Sequence, residues 1–317
     1  MPRAVGDRQP LRESVSGPTS AALYRRVRRT GKRLVFPLTH AWGRATRRFY
    51  FEDFVRVYPG AIAYNRLGLR RRARDPDLRI FRSHVKVYEF AAQFVAGKRV
   101  ADVGCGAGYG CKILNEAGAA EVQGCDISKH SLRFARTHYG SFATFTRQTI
   151  VDLREYADNT FDVAFSSEVL EHIKEYGLEQ RAVRELRRIV CPGGLVVVGT
   201  PNSELLGEHG FSFDEISALF GDAFDRFLLF ENAFVPFEPE ARRAWEERLA
   251  SGRTGTIVTE AIDLAHTLVP DGAPAEVKRG LEPGPLELDG HTVDTRLLHN
   301  THGWLVVAVK SERGPAR

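Results

Sequence analysis

Asp102, Gly104, Gly106 and Gly108 fall on alternate positions of DVGCGAG, and a second acid, Asp126, closes the next apolar run in EVQGCDIS. Glycine at this density permits left-handed backbone and close approach of another molecule, so the turn reads as a place where the chain passes beneath a ligand. The dinucleotide fingerprint G-x-G-x-x-G fails here. Counted from Gly104 its last position is Tyr109, and counted from Gly106 it is Cys111. Further along, EVLEH brings Glu168, Glu171 and His172 together, and the first and last, four apart, can share a helix face. Two kinds of chemistry suit such a group. His172, with Glu171 beside it, can act as a general base or orient a bound molecule. Alternatively Glu168, Glu171 and His172, completed by His209 in EHGFSFDE, can hold Mg²⁺ or another divalent cation.

Those residues need elements to position them. From about Lys98 to Asn202 short apolar runs alternate with amphipathic stretches: KRVADVG, EVQGCDIS, ATFTRQTI, FDVAFSS and LVVVGTPN read as strands. YGCKILNEAG, KHSLRFARTHYG and LEQRAVRELRRIV read as helices, the last ended by CPGG. The alternation predicts an open, mostly parallel sheet with helices on both faces, an α/β fold. HVKVYEFAAQF before it and FSFDEISALFG after it have helical periodicity, and FDRFLLFEN and GWLVVAVK are two further strands.

The expected organisation is a disordered tail (1–20), a basic helical extension (21–82), a core (83–232), an insertion that could serve as a substrate lid (233–302), and a last core strand with its tail (303–317). The chain has 317 residues, 43% of them hydrophobic and 27% charged, the composition of a soluble globular protein. The net charge of +5 hides an asymmetry: residues 1–82 hold 20 Lys/Arg and 6 Asp/Glu (+14), leaving 25 and 34 (−9) for the rest. Such a basic arm can attract nucleic acid or an anionic membrane, and equally can be a solvated tail. No run approaches the roughly 18 apolar residues of a membrane helix, and no signal-peptide core opens the chain. The four cysteines lack metal-type spacing and read as reduced thiols, so a cytoplasmic location is expected.

The D-x-G-x-G-x-G turn, followed eighteen residues after Gly108 by Asp126, resembles motif I and its sequel in the class I S-adenosylmethionine-dependent methyltransferases, in particular the type 11, ubiquinone O-methyltransferase-like members. The resemblance runs from about Ala91 to Phe230 through five ordered blocks, the later ones being TIVDL, NTFDVAFSSEVLEHI and ELRRIVCPGGLVVVGTPN. It implies a Rossmann-like seven-stranded sheet of order 3-2-1-4-5-7-6 with the last strand antiparallel. It further implies that Asp102, Gly104, Cys105, Gly106 and Gly108 cradle the amino-acid part of S-adenosylmethionine, and that Asp126 and Ile127 face the ribose. Thr149, Ile150 and Asp152 would lie by the adenine, where many relatives carry an acid at the position of Thr149, and Ser167 and Glu168 would close the site. Methyl transfer then needs little more than alignment of the acceptor and removal of its proton, for which His172 and Glu171 are the candidates.

The acceptor expected is a hydroxyl on a small molecule: a sugar, a secondary metabolite, or a quinol or catechol. A metal-dependent RNA 2′-O-methyltransferase, using the basic arm and the E-x-x-E-H cluster, is a second reading. A non-catalytic cofactor-binding regulator or scaffold is a third. His84, His130 and His138 read as surface or packing residues, Tyr109 as packing or as a cover for the cofactor, and Trp245 as helix packing.

Overall fold

The computed structural model describes residues 55–59, 61–66, 69–74, 79–203, 210–232, 255–259, 264–270, 284–298 and 303–311. Its elements begin with three strands, β1 (Val55–Tyr58), β2 (Ala61–Arg66) and β3 (Leu69–Arg74), followed by α1 (Arg79–Ala92). The alternating region gives β4 (Arg99–Val103), α2 (Tyr109–Glu116), β5 (Glu121–Cys125), α3 (Lys129–Tyr139) and β6 (Thr144–Thr146). Next come β7 (Phe161–Ser167), α4 (Leu170–Lys174), α5 (Glu179–Ile189), β8 (Val190–Thr200), α6 (Phe213–Gly221) and β9 (Arg226–Asn232). Four strands and a 3₁₀ turn complete the chain: β10 (Gly255–Thr259), β11 (Leu264–Pro270), β12 (Pro285–Leu288), β13 (His291–Asp294), Thr295–Leu298 and β14 (Gly303–Val309).

The main sheet runs β10-β11-β9-β14-β8-β7-β4-β5-β6. Its seven strands from β9 to β6 follow the expected order 3-2-1-4-5-7-6. β4, β5, β6, β7 and β8 pair in parallel, and β14 is antiparallel to both β8 and β9. The central strands are apolar at successive positions because both faces are covered. In β14 the period is visible residue by residue. Trp304, Val306 and Ala308 pack with α4, α5 and α6, while Leu305, Val307 and Val309 pack with α1, α2 and α3. Burial of these two layers is the main force holding the ends of β4, β5 and β7 together, and those ends carry the site.

Three expectations change. Where helices were expected across 21–82, residues 55–74 form an antiparallel sheet β1-β2-β3, with Val57 opposite Ile62 and Tyr64 opposite Arg71. The alternation in VRVY and AIAYN, separated by Pro59-Gly60, is a two-residue period, and dense aromatics and arginines had masked it. The insertion 233–302, expected to be a lid, contributes β11 and β10 to the main sheet beyond β9, making nine strands among the described residues, and a β12–β13 hairpin. Without β11, β9 would be an edge strand offering a row of unpaired backbone groups, which the short run Leu264–Pro270 takes up. CPGG does not follow α5 as a separate turn, since β8 starts at Val190 and runs through it. The tail expected over 1–20, most of the basic extension, Trp245 and the greater part of the insertion lie outside the described residues.

Candidate active site

The glycine turn leaves β4 and doubles back into α2. Gly104 has φ +85°, and a Cβ there would stand 2.3 Å from Val169 Cγ2, so the loop after β7 lies directly against it. Gly106 has φ +55°, but a Cβ there would meet nothing within 4 Å. The first glycine is therefore required by close packing. The second is required by its backbone conformation, with open space beside it that a ligand can enter. The Cys105 side chain is a buried thiol, and its carbonyl accepts from Gly108 N at 3.0 Å.

Asp126 closes the site from β5. Its Oδ2 accepts from Gly106 N at 2.9 Å and its Oδ1 from Ser128 N at 2.7 Å. One carboxylate thus ties the glycine turn to the start of α3, where Ser128 caps the helix through Ser131 N. A carboxylate has about four acceptor positions, and a bidentate pair of hydroxyls is a group it suits. With the open space at Gly106, this donor and acceptor set fits the ribose and amino-acid parts of S-adenosylmethionine. The neighbouring Ile127 is anchored through its carbonyl by Arg147 Nε at 2.9 Å.

Asp102, at the end of β4, is buried. Tyr88 Oη donates to its Oδ2 at 3.1 Å, and Cys111 Sγ donates to the same oxygen at 3.2 Å. Burial pushes this carboxyl up to about 7, with the charge of Asp126 adding to the rise and the two hydrogen bonds opposing it. Folded protein therefore holds a proton here that unfolded chain has lost, between the ordinary value of 3.8 and about 7. Stability should fall as pH rises through that window and level off above it. Asp102→Asn is expected to flatten the slope, read as melting temperature against pH in cofactor-free protein. The thiols beside Asp102 are structural: burial pushes Cys111 up to about 12, and Cys105 is raised by its hydrogen bond to Cys111 and by burial. All four cysteines are free thiols.

The loop TIVDL folds as a tight turn in which Asp152 N donates to Thr149 O at 2.8 Å, with Ile150 buried beneath it. The Asp152 carboxylate is engaged by Arg154, which holds it below the usual carboxylate range.

At the end of β7, Ser167 Oγ is buried with no hydrogen-bond partner among the described residues. Glu168 follows in the left-handed region, φ +57°, its N–H bonded to Gly199 O at 2.9 Å. A non-glycine residue held there costs about 1 kcal/mol or more, a strain found preferentially at functional sites. The turn delivers Val169 against Gly104 and starts α4. There Glu171 is buried, and its Oε2 accepts from Thr200 Oγ1, at the end of β8, at 3.1 Å. His172 Nε2 lies 3.3 Å from Glu171 Oε1, with 23% of the His172 side chain exposed against 1% for Glu171. The carboxylate is thus inside and the imidazole at the surface of the site.

Of the four expected metal ligands, Glu168, Glu171 and His172 lie in this turn, where Glu171 points inward to Thr200. Among the described residues no group of three or more His, Cys, Asp or Glu side chains is placed to share an ion. His209, the fourth expected ligand, lies outside the described residues. No helix among them is long and apolar enough to cross a membrane.

Three contacts were not anticipated: Tyr88 and Cys111 on Asp102, and His84 Nδ1, 3.1 Å from Tyr109 Oη. The signal for them was the four-residue spacing of His84 and Tyr88, which puts both on one face of α1.

A doubly wound sheet with a glycine turn after its first parallel strand and a carboxylate after its second defines a Rossmann-like domain of the methyltransferase class. Residues 101–198 match the family model described as a methyltransferase domain. Among curated proteins, the ubiquinone biosynthesis O-methyltransferase of Mesorhizobium japonicum is 35% identical over 117 residues, 36% of this chain and 45% of that protein. Its counterpart in Neisseria meningitidis is 36% identical over 112 residues, 34% of this chain and 46% of that protein. A probable S-adenosylmethionine-dependent methyltransferase of Mycolicibacterium smegmatis is 31% identical over 129 residues, 38% of this chain and 45% of that protein. The chain thus spans a little under half the length of the curated relatives it matches. A solved S-adenosylmethionine-dependent methyltransferase of Thermotoga maritima aligns at 15% identity over 74% of this chain and 92% of that one, with a TM-score of 0.45.

Proposed function

We propose that this protein transfers the methyl group of S-adenosylmethionine to a hydroxyl of a small molecule. The observation that carries the reading is the Glu171–His172 pair, anchored on β8 through Thr200 and held beside the glycine turn by the contact of Val169 with Gly104. The bound cofactor supplies a methyl group on a positively charged sulfur, already activated toward substitution. Glycine positions 104 and 106 and the Asp126 carboxylate hold it. Cys105, Gly108, Ile127, Thr149, Ile150, Asp152, Ser167 and Glu168 frame the same site.

His172 is the general base in this reading. A carboxylate near Nε2 favours the tautomer with its proton on Nε2, leaving the Nδ1 lone pair to receive the acceptor's proton. Glu171 then stabilises the imidazolium, and because it is buried it does so with little screening by water. The names of the curated relatives support an oxygen acceptor, and among the acceptor classes a quinol or catechol suits them best.

The test is a methyl-transfer assay on the full chain with methyl-labelled cofactor, pooled hydroxylated metabolites and, separately, RNA, with mass identification of the product. An O-methylated small molecule is the expected result, and turnover is expected to persist in EDTA. Label in RNA alone, or failure of S-adenosylmethionine to bind in a calorimetric titration, would overturn the proposal. Loss of turnover in EDTA that Mg²⁺ restores would replace His172 as base with a metal-activated hydroxyl.

A further inference from the structure

Helix α1 precedes the segment matched by the family model, yet three of its residues reach the glycine turn. Phe81, His84 and Tyr88 recur at spacings of three and four, along one helix face. Tyr88 holds Asp102 through its hydroxyl. The other two converge on Tyr109, the first residue of α2 after Gly108. The Phe81 and Tyr109 rings meet edge to face, centroids 4.9 Å apart, and Tyr88 meets the same ring at 5.8 Å. His84 Nδ1 lies 3.1 Å from the Tyr109 hydroxyl.

Tyr109 opens α2 directly after Gly108, the last glycine of the turn, and is buried there. Burial raises its phenol above the ordinary value, and the charges of Asp102 and Glu168 raise it further. We propose that His84 is a positioning residue for cofactor binding. By holding the Tyr109 hydroxyl it fixes that ring as a wall of the site, beside the amino-acid end of the cofactor.

The physical reason is the cost of a buried hydroxyl without a partner. His84 supplies a partner that carries no charge in its neutral form. Without it, the buried hydroxyl must find another partner, and the ring is no longer fixed beside the turn. The inference rests on the methyltransferase reading of the site, and it assigns a role to a residue outside the matched domain.

The experiment is calorimetric titration of the full chain with S-adenosylhomocysteine, which requires no acceptor. Tyr109→Phe and His84→Ala are each expected to weaken binding about 3- to 10-fold, the effect of losing one hydrogen bond. The double variant should be no weaker than either single one, to within about twofold, because both remove the same contact. His84→Asn keeps a hydrogen-bonding atom close to the position of Nδ1 and should recover most of the affinity. Wild-type affinity in Tyr109→Phe, additive losses in the double variant, or a His84→Asn variant as weak as His84→Ala would each overturn the proposal. Should His84→Ala fail to fold, the Tyr109→Phe and His84→Asn titrations decide alone. If the wild-type chain does not bind the probe, the methyltransferase reading itself fails.

Discussion

Asp126→Ala is expected to lower the affinity for S-adenosylmethionine by about 100-fold or more, measured by calorimetry on a chain that still melts cooperatively. The carboxylate accepts from Gly106 N and Ser128 N, so its removal leaves two backbone donors without their charged partner. Hydrogen bonds to charged groups contribute about 1.5–3 kcal/mol each, and loss of ribose contacts adds to the loosening of the turn. Asp126→Asn separates these effects. Its single carbonyl oxygen can satisfy one backbone N–H, while its amide group opposes the other. An intermediate affinity is therefore expected for Asn, well below wild type and above Ala. Binding by Asp126→Ala within threefold of wild type would remove Asp126 from the site.

His172→Ala should reduce kcat by about 10²- to 10⁴-fold, the usual range for loss of a general base, while leaving cofactor affinity within about twofold. The asymmetry follows from position. In the proposed reading the glycine turn and Asp126 carry the cofactor, and His172 serves the acceptor. Glu171→Gln should lower kcat by less, since it removes the stabilising charge and keeps the imidazole. Thr200→Val, which removes the hydroxyl donated to Glu171, should give a smaller effect in the same direction. A His172→Ala enzyme with wild-type kcat would mean that the acceptor arrives already deprotonated, or that another group takes the proton.

Much of the fold was legible because its signals are local. The apolar run before Gly104, the stop at Gly118 and the helical period of FSFDEISALFG can all be read within a few residues. The strands β1–β3 and β10–β11 were not legible. A short strand declares itself by what it pairs with, and VRVY or GTIVT has too few positions for its period to compete with flanking charge. The surroundings of Glu171 were hidden for a related reason. E-x-x-E-H states which ligands are near in sequence, but not that Glu171 turns toward Thr200, twenty-nine residues away.

The sequence by itself determined the glycine turn, the carboxylate at the end of the following strand and the alternation of strands and helices along the core. Each depends on conformational limits or patterns carried within a short stretch. Only the tertiary structure decided that Asp102 is a buried acid held by Tyr88 and Cys111, that Glu171 lies inside while His172 stays at the surface, and that α1 closes over Tyr109. Burial and hydrogen-bond partnership depend on which elements the folded sheet and helices bring together, and in the Tyr88–Asp102, Thr200–Glu171 and His84–Tyr109 pairs the partners come from different elements.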